Sequence, residues 1–193
     1  PFRDDTVGPP VPGTDVRVDG RDERGQGEVW VRGPQVFAGY LDDPELTAEV
    51  LEDGWLRTGD LGEVDATGHL RLVGRIKDMI VTPGGKNVYP EDVEGRFHGI
   101  EAEELAILPS HAIWPQTLAA DESLVLALRP RASGIDDLLR EVAQRNRRLP
   151  AYKRVSGALL VARPFPRTTS LKLKRRELAE TLADCGRDEL KTL

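Results

Sequence analysis

The chain has 193 residues, of which 39% are hydrophobic, 31% charged and 5% aromatic. This composition is typical of a folded globular protein rather than a disordered or fibrous one, and no apolar run approaches the roughly 20 residues needed to cross a bilayer. The formal net charge of −6 argues against a protein whose main task is to coat nucleic acid, because that task needs a basic surface.

Two single residues add further expectations. The only cysteine, Cys185, cannot form an internal disulfide, so we expect a reducing, cytoplasmic location and leave a peripheral position at a membrane open. The only methionine is Met79, and the chain begins at Pro1 without a signal-peptide pattern. We therefore expect a processed chain or a piece of a longer protein.

The first 75 residues predict short strands separated by turns rich in Gly, Pro and Asp. Alternating valines over 16–18 and 29–31 are typical of half-buried strands. Asp43 is predicted to cap a short helix whose first residue is proline. A hairpin is predicted over 61–73, with Gly68 placed for positive φ in its turn.

The rest of the chain predicts alternating strands and helices, so we place a domain boundary near residues 75–78. The segment 112–121 has no clear pattern. Strands and three helices are predicted elsewhere: strands over 80–81, 87–89, 103–108, 123–128 and 158–161, a helix from Pro90, a helix over 135–142 and a final helix over 177–182.

Several common motifs are absent from the sequence. There is no G-x-x-x-x-G-K-[ST] phosphate loop, no G-x-G-x-x-G and no paired cysteine spacing. The three histidines, His69, His98 and His111, do not have the spacing of metal ligands, so no metal site is predicted.

Four segments, taken in order, carry a specific signal, although each alone would be weak. They are Gly-Trp-Leu-Arg-Thr-Gly-Asp-Leu-Gly over 54–62, Gly-His-Leu-Arg-Leu-Val-Gly-Arg over 68–75, the segment 77–94 that contains Gly-Gly-Lys-Asn-Val-Tyr-Pro-Glu, and Pro-Arg-Thr-Thr-Ser-Leu-Lys-Leu-Lys-Arg-Arg-Glu-Leu over 166–178. Together they resemble the C-terminal portion of the adenylate-forming (AMP-binding) superfamily, which includes acyl-CoA synthetases, peptide-synthetase adenylation domains and luciferases. The residues over 85–91 and 169–176 are most similar to those of fatty-acyl-CoA synthetases or of their relatives that load acyl carrier proteins.

This resemblance implies an α+β fold in two parts. Residues 1–76 would form the β-rich, distorted barrel-like end of the large AMP-binding domain, and residues 77–193 a mobile α+β C-terminal domain with its hinge at 77–78. The implied reaction joins a carboxylic acid, expected to be a fatty acid, to the AMP part of ATP with Mg²⁺, and then passes the acyl group to CoA or to the pantetheine of a carrier protein. The family's phosphate loop and acyl pocket would precede residue 1, so we expect the chain to be inactive without the N-terminal part of the same enzyme.

The resemblance also implies a nucleotide site at two residues. Asp60 matches the carboxylate that accepts hydrogen bonds from the two ribose hydroxyls of ATP, a task that needs two acceptor oxygens at fixed spacing. Arg75 matches an arginine that points at the nucleotide. From the residues alone, Asp60 could instead cap its own turn and Arg75 could be an ordinary surface arginine.

Three further positions match the moving parts of the family. Lys77 falls at the hinge about which the C-terminal domain swings between the two half-reactions. Gly84 and Gly85 match a loop that enters the active site for the second half-reaction, where glycine lets the backbone approach a pantetheine arm. A solvated linker lysine and an ordinary hairpin turn are the alternatives.

Lys172 matches the lysine that bridges the substrate carboxylate and the α-phosphate during adenylation. A mobile cation there would stabilise the charge that builds on the phosphate oxygens. Leu171 stands where glycine commonly precedes this lysine, and leucine does not readily adopt positive φ, so we expect a differently shaped loop. The alternative is a basic surface patch that binds some polyanion.

A second hypothesis is a stand-alone interaction module. The segment 163–176 contains six basic residues and no acidic one, which suits an acidic carrier protein. Pairing with a separate N-terminal half is the other form of this hypothesis, and nucleic-acid binding is the least favoured one.

Overall fold

The computed structural model describes residues 6–116, 118, 122–131 and 134–193. The chain divides into two compact units, Pro1–Met79 and Ile80–Leu193, which we call the N-terminal unit and the C-terminal unit. The described part of the N-terminal unit contains β1 (Asp15–Asp19), β2 (Gly27–Arg32), α1 (Pro44–Val50), β3 (Leu51–Glu52), β4 (Trp55–Val64), β5 (Leu70–Arg75) and a 3-10 helix (Ile76–Asp78).

The N-terminal unit is built on a curled antiparallel sheet. Its strand order is β1-β2-β4-β3, and the ten-residue strand β4 also pairs with β5. The register shifts between Glu28 and Trp30 and again between Leu61 and Gly62. Such irregularities bend a strand and increase its twist. The predicted β-rich, barrel-like fold of this part of the chain is therefore confirmed.

Local signals account for the other elements of the N-terminal unit. Val18 and Val29 face each other in register and are almost fully buried, as their alternation predicts. The Asp43 carboxylate accepts a hydrogen bond from the backbone N–H of Leu46 at 2.9 Å, which caps α1. Gly68 has φ +81° in the turn of the β4–β5 hairpin. The predicted hairpin and helix start are both confirmed.

The C-terminal unit has a mixed four-stranded sheet and a separate small hairpin. The sheet order is β11-β10-β9-β8, with β9 antiparallel to β8 and parallel to β10. The described elements are β6 (Ile80–Val81), β7 (Asn87–Val88), α2 (Pro90–Gly95), β8 (Ala102–Pro109), α3 (Ser110–Ile113), β9 (Leu124–Pro130), α4 (Ile135–Arg147), β10 (Val155–Leu160), α5 (Arg175–Leu182) and β11 (Lys191–Thr192).

Helices cover both faces of this sheet. On one face, Leu126 belongs to a buried cluster with residues of α2 and α4, including Val142. On the other face, Val125 belongs to a cluster with residues of α3 and α5, including Leu178. Strand β9 is buried on both faces, which explains its continuous apolar sequence. The predicted α+β fold of this part of the chain is confirmed.

The structure departs from the predicted elements at three places. The helix predicted over 135–142 continues to Arg147. A one-turn helix, α3, overlaps the start of the patternless segment 112–121, so the described residues of this unit contain four α-helices rather than three, besides two 3-10 helices (Ala151–Lys153 and Arg187–Glu189). Residues 117 and 119–121 of that segment lie outside the described residues. Strand β11 pairs through only two residues, which is too short for any sequence periodicity.

Candidate functional site

Asp60 and Arg75 form an ion pair across the β4–β5 hairpin. They are register partners, and the Arg75 Nε donates to Asp60 Oδ1 at 2.6 Å. Both side chains are partly exposed, 28% for Asp60 and 42% for Arg75. The two residues that resemblance assigns to a nucleotide site therefore lie together, and the carboxylate keeps oxygen lone pairs that face solvent.

The Thr58 hydroxyl and the backbone conformation of Gly59 fix the position of Asp60. The Thr58 hydroxyl donates to the Val29 carbonyl at 2.7 Å and accepts from the Asp60 N–H at 3.0 Å. Gly59 has φ +68°, a conformation that glycine adopts without strain. Asp60 thus lies within strand β4 and pairs with an arginine, so the alternative of a turn aspartate that caps its own backbone is wrong. Arg75 is itself a partly exposed arginine that follows the hairpin, so the alternative of an ordinary surface arginine stays open.

Lys77 lies in the 3-10 helix Ile76–Asp78 and is exposed. Within the described ranges its side chain forms no hydrogen bond or ion pair. The border of the two compact units falls close by, between Met79 and Ile80. An exposed side chain near the border of two units would not oppose a change of the backbone angles. The role of Lys77 as a hinge stays a prediction.

Gly84 and Gly85 lie at the tip of the β6–β7 hairpin. The Gly85 N–H donates to the Thr82 carbonyl at 2.8 Å, and the Thr82 N–H donates to the Lys86 carbonyl at 3.0 Å. Gly85 has φ +70°, whereas Gly84 is not in the left-handed region. A Cβ added at either glycine would meet no atom within 4 Å. The backbone here is therefore open to approach, and only Gly85 needs glycine for its conformation.

Lys172 lies at the end of a tight turn within residues 166–174, which we call the Lys172 hairpin. Arg167 and Leu173 form a β-bridge at its base. The Thr168 N–H donates to the Lys172 carbonyl at 2.9 Å, and the Lys172 N–H donates to the Thr168 hydroxyl at 3.1 Å. The backbone of Lys172 is therefore fixed while its side chain is exposed.

Leu171 corrects one expectation. It has φ +62° and its side chain is 73% exposed. The turn therefore keeps the left-handed conformation that glycine would favour, instead of adopting a different shape. The reason is the surrounding set of hydrogen bonds, in which Leu171 N–H donates to the Thr168 carbonyl at 2.9 Å and its own carbonyl accepts from Arg167. Leucine in this conformation costs about 1–2 kcal/mol relative to a right-handed one.

Most of the basic residues in 163–176 are paired with acidic residues. Arg167 pairs with Glu104, Lys174 with Glu177, Arg175 with Glu91 and Glu94, and Arg176 with Glu180. In the part of the chain that the structure describes, the side chains of Lys172 and Arg163 have no such partner. The proposed basic patch for a polyanion or an acidic carrier protein is therefore largely neutralised, and Lys172 carries an unshared charge.

Arg175 forms the most buried of these ion pairs. Its side chain and that of Glu94 are each 17% exposed, and the Arg175 Nη1 lies 2.5 Å from Glu94 Oε1. Burial lowers the pKa of Arg175, but the hydrogen bond and charge of Glu94 and the charge of Glu91 outweigh burial and leave the pKa above its usual value. Arg175 is therefore a structural cation that fixes the start of α5.

Sequence reasoning missed Glu104 on strand β8. Its carboxylate is 12% exposed and accepts hydrogen bonds from Arg129, Arg167 and the Phe165 N–H. Burial raises the pKa of Glu104, but these hydrogen bonds outweigh it and hold the pKa below its usual value. Two of its partners lie about 60 residues away along the chain, so no local motif could have pointed to it.

The described residues outside these positions offer no metal cluster and no membrane-spanning helix, but they form an open groove. In the described ranges no group of three or more His, Cys, Asp or Glu side chains could hold a metal ion. No described helix is long and apolar enough to span a membrane. An open groove of about 420 Å³ lies between α2 and β8, but none of the predicted site residues lines it.

Comparison with known proteins gives relatives over nearly the whole chain, although no family model matches it. A long-chain-fatty-acid–CoA ligase of Yersinia pestis is 39% identical over 187 residues, which cover 94% of this chain and 32% of the relative. ATP-bound MatB from Rhodopseudomonas palustris superimposes with a TM-score of 0.77 at 28% identity, covering 93% of this chain and 36% of MatB.

A second solved structure is also similar in fold over most of the chain. The o-succinylbenzoate CoA synthetase MenE of Bacillus subtilis, in complex with its acyl-adenylate intermediate, has a TM-score of 0.74 at 26% identity and covers 90% of this chain and 35% of MenE. The chain thus spans about a third of the length of these three proteins.

Proposed function

Since the chain is related in sequence and fold to the adenylate-forming acyl-CoA ligases and resembles their C-terminal portion, we propose that it is the C-terminal part of an ATP-dependent fatty-acyl-CoA synthetase. In the first half-reaction the acid's carboxylate attacks the α-phosphorus of ATP, so that acyl-adenylate forms and pyrophosphate leaves. In the second, the thiol of CoA attacks the acyl carbon and AMP leaves. A fatty acid is the proposed substrate because several relatives are named long-chain-fatty-acid–CoA ligases.

The observation that carries the proposal is the unshared charge of Lys172. Its neighbours Arg167 and Arg175 are each paired with partly buried glutamates, whereas the Lys172 ammonium is free within the described residues and extends from a fixed backbone. When a carboxylate meets the α-phosphate, negative charge builds on the non-bridging oxygens. A cation at that point stabilises the transition state more than the separated reactants.

Asp60 is proposed to hold the ribose of ATP. One carboxylate oxygen accepts from Arg75, and the remaining lone pairs suit two neighbouring hydroxyl donors. Because the hydrogen bond from Arg75 holds the carboxylate in one orientation, the pair is prepared for the ligand before it binds. Mg²⁺, which neutralises the polyphosphate, would be held by phosphate oxygens, since hard cations prefer oxygen ligands.

Lys77 and the two glycines are proposed to serve the second half-reaction. The exposed Lys77 would absorb the backbone change of a swing between adenylation and thioester formation. The open backbone at Gly84 and Gly85 would then lie beside the pantetheine arm of CoA. These roles rest on the resemblance and on the exposure of the three residues.

The test is fatty-acid-dependent pyrophosphate release by the complete enzyme that contains these residues. We expect Lys172→Ala to lower this rate by about 100-fold or more, because loss of one preorganised charge-stabilising group costs about 10²–10³ in rate. Arg163→Ala is the matched control, since it removes another exposed cation that has no described partner. Unchanged activity of Lys172→Ala would remove that residue from the mechanism. Absence of any acid-dependent pyrophosphate release would overturn the ligase proposal itself.

A further inference from the structure

The Lys172 hairpin is attached to the sheet of the C-terminal unit at both ends. Directly after its last residue, Arg175 donates to Glu94 and to the Ile107 carbonyl of β8. At its start, Arg167 donates to Glu104, also on β8. The turn that carries Lys172 is therefore held between two arginine–glutamate contacts on one strand and the adjacent helix.

Glu104 uses both of its carboxylate oxygens in this attachment. Oε1 accepts from Arg167 Nε at 3.1 Å and from Arg167 Nη2 at 2.8 Å. Oε2 accepts from the Phe165 N–H at 2.9 Å and from Arg129 Nη1 at 3.1 Å. Because two nitrogens of one planar guanidinium donate to the same oxygen, the contact restricts the orientation of the guanidinium as well as its distance.

The same guanidinium reaches the tip of the turn. Arg167 Nη1 donates to the Leu171 carbonyl at 2.9 Å, and that carbonyl belongs to the peptide bond that joins Leu171 to Lys172. Because the guanidinium is planar and rigid, a single rigid group joins the Glu104 carboxylate to this peptide bond through hydrogen bonds on both sides. The chain of contacts from β8 to the Lys172 backbone is therefore short and stiff.

We propose that Glu104 and Arg167 are positioning residues for Lys172, which they hold so that its ammonium meets the reacting phosphate; this inference rests on the proposed function. A lysine side chain is long and flexible, so its placement depends on how firmly its backbone is held. Misplacement of a reacting group by about 1 Å can cost on the order of 10²-fold in rate. Lys172 acts in adenylation only, and loosening its hairpin should therefore affect that half-reaction selectively.

The first test is Glu104→Gln in the complete enzyme, with the two half-reactions measured separately. We expect acid-dependent ATP–pyrophosphate exchange to fall about 10-fold or more in kcat, and CoA thioester formation from supplied acyl-adenylate to stay within twofold. Glu101→Gln is the matched control, because Glu101 also pairs with an arginine, Arg131, but is 75% exposed. Both half-reactions should be unchanged in the control.

A purely structural role would lower both half-reactions together, and that outcome, or no effect on exchange, would overturn the inference. Lys172→Ala in the same enzyme separates the two proposals. If Lys172→Ala abolishes exchange while Glu104→Gln does not, only the positioning inference fails. If Lys172→Ala leaves exchange unchanged, the proposed role of Lys172 fails.

The second test does not depend on activity. Trypsin cleaves after lysine, so the cleavage rate at the Lys172–Leu173 bond reports how firmly the hairpin is held. We expect this rate to rise at least fivefold in Glu104→Gln and to stay unchanged in Glu101→Gln, and equal rates in the two variants would contradict the inference. Should Glu104→Gln fail to fold, Arg167→Lys replaces it. A lysine keeps the charge but cannot donate to Glu104 and Leu171 in one plane, so we expect the same selective loss of exchange and the same faster cleavage.

Discussion

Asp60 and Arg75 lie opposite each other on adjacent strands and are joined by a hydrogen bond of 2.6 Å from Nε to Oδ1. A second pair of the same composition, Asp15 and Arg32, is also in register in the same sheet, but both of its side chains are at least half exposed. The two pairs therefore form a natural comparison between a proposed ligand site and an ordinary surface ion pair.

Asp60→Asn is expected to raise the KM for ATP about tenfold or more in the complete enzyme, because a hydrogen bond to a charged group contributes about 1.5–3 kcal/mol. Asp15→Asn should leave the KM within twofold, since exposed ion pairs contribute about 0–1 kcal/mol and this one lies outside the proposed site. Steady-state kinetics with varied ATP measures both. An equal effect of the two substitutions would remove Asp60 from the nucleotide site.

Leu171→Gly is expected to stabilise the chain by about 0.5–1 kcal/mol. Relief of the positive φ gains about 1–2 kcal/mol, and the added freedom of glycine in the unfolded chain offsets about 0.5–1 kcal/mol of it. The exposed leucine side chain loses little burial. Thr169→Gly, in the same turn but not at positive φ, should show no gain in urea unfolding. A lower stability of Leu171→Gly would contradict the strain argument.

The lowered pKa of Glu104 makes the free energy of unfolding depend on pH. Its pKa is lowered in the folded protein, so its contribution is fully present above the unfolded-state pKa, about 4.3, and disappears as pH falls through the folded-state pKa. The groups that face its carboxylate are Arg129 from β9 and Arg167 from the Lys172 hairpin, and Arg129 also pairs with Glu103.

We therefore expect Glu104→Gln to lower the free energy of unfolding by about 1–3 kcal/mol at pH 7, and the difference from the parent chain to shrink below about pH 4. Urea unfolding at several pH values, followed through Trp114 with Trp30 and Trp55 replaced by Phe, measures this difference. A difference that stays constant or grows as the pH falls would show that Glu104 does not contribute through its charge.

Arg175 and Arg176 are adjacent arginines with opposite environments. The Arg175 side chain is 17% exposed and that of Arg176 is 94% exposed. Removing one partner of a buried ion pair costs about 3–5 kcal/mol, and we expect about 2–3 kcal/mol for Arg175→Met because the pair is slightly exposed. Arg176→Met should change stability by less than about 0.5 kcal/mol. The same urea measurement compares them, and equal effects would contradict the structural role of Arg175.

Glycine is expected to be required for different reasons at two adjacent positions. Gly85 needs it for its backbone conformation, and Gly84 for its proposed role beside CoA. Gly85→Ala should cost about 1–2 kcal/mol of stability, because of its φ of +70°. Gly84→Ala should leave stability unchanged, since its Cβ would meet no atom. In the complete enzyme we expect Gly84→Ala to slow thioester formation from acyl-adenylate while pyrophosphate exchange is unaffected. If Gly84→Ala is silent in both half-reactions, close approach of CoA at this glycine is not needed.

Local signals were sufficient for much of the fold. The Asp43 cap, the hairpin turn at Gly68 and the helical spacing from Ile135 each depend on neighbours within a few residues, and each was predicted. The two-residue strand β11 has no such signal, because its only reason to be extended is its pairing with β10. Its position is set by the tertiary structure and not by its own sequence.

Some residues of the candidate site were also found from the sequence, and others were not. Asp60 and Lys172 were assigned through resemblance, whereas the contact of Asp60 with Arg75 was not predicted, because it depends on a register that shifts between Leu61 and Gly62. Glu104 could not be predicted, since its contacts with Arg167 join residues 63 positions apart. Sequence also suggested the wrong shape for the turn at Leu171, where the surrounding hydrogen bonds outweigh the preference of leucine.

Most arginines and lysines of 163–176 are paired with glutamates, and this affects how the molecule attracts anions. At a distance greater than about 8–10 Å, the Debye length near physiological salt, each internal ion pair acts as a short dipole whose field has largely decayed. The segment would therefore give little long-range steering toward phosphate-rich surfaces, despite its basic sequence. Discrimination in favour of a ligand would instead arise on contact, where the ammonium of Lys172 is available to form its first ion pair.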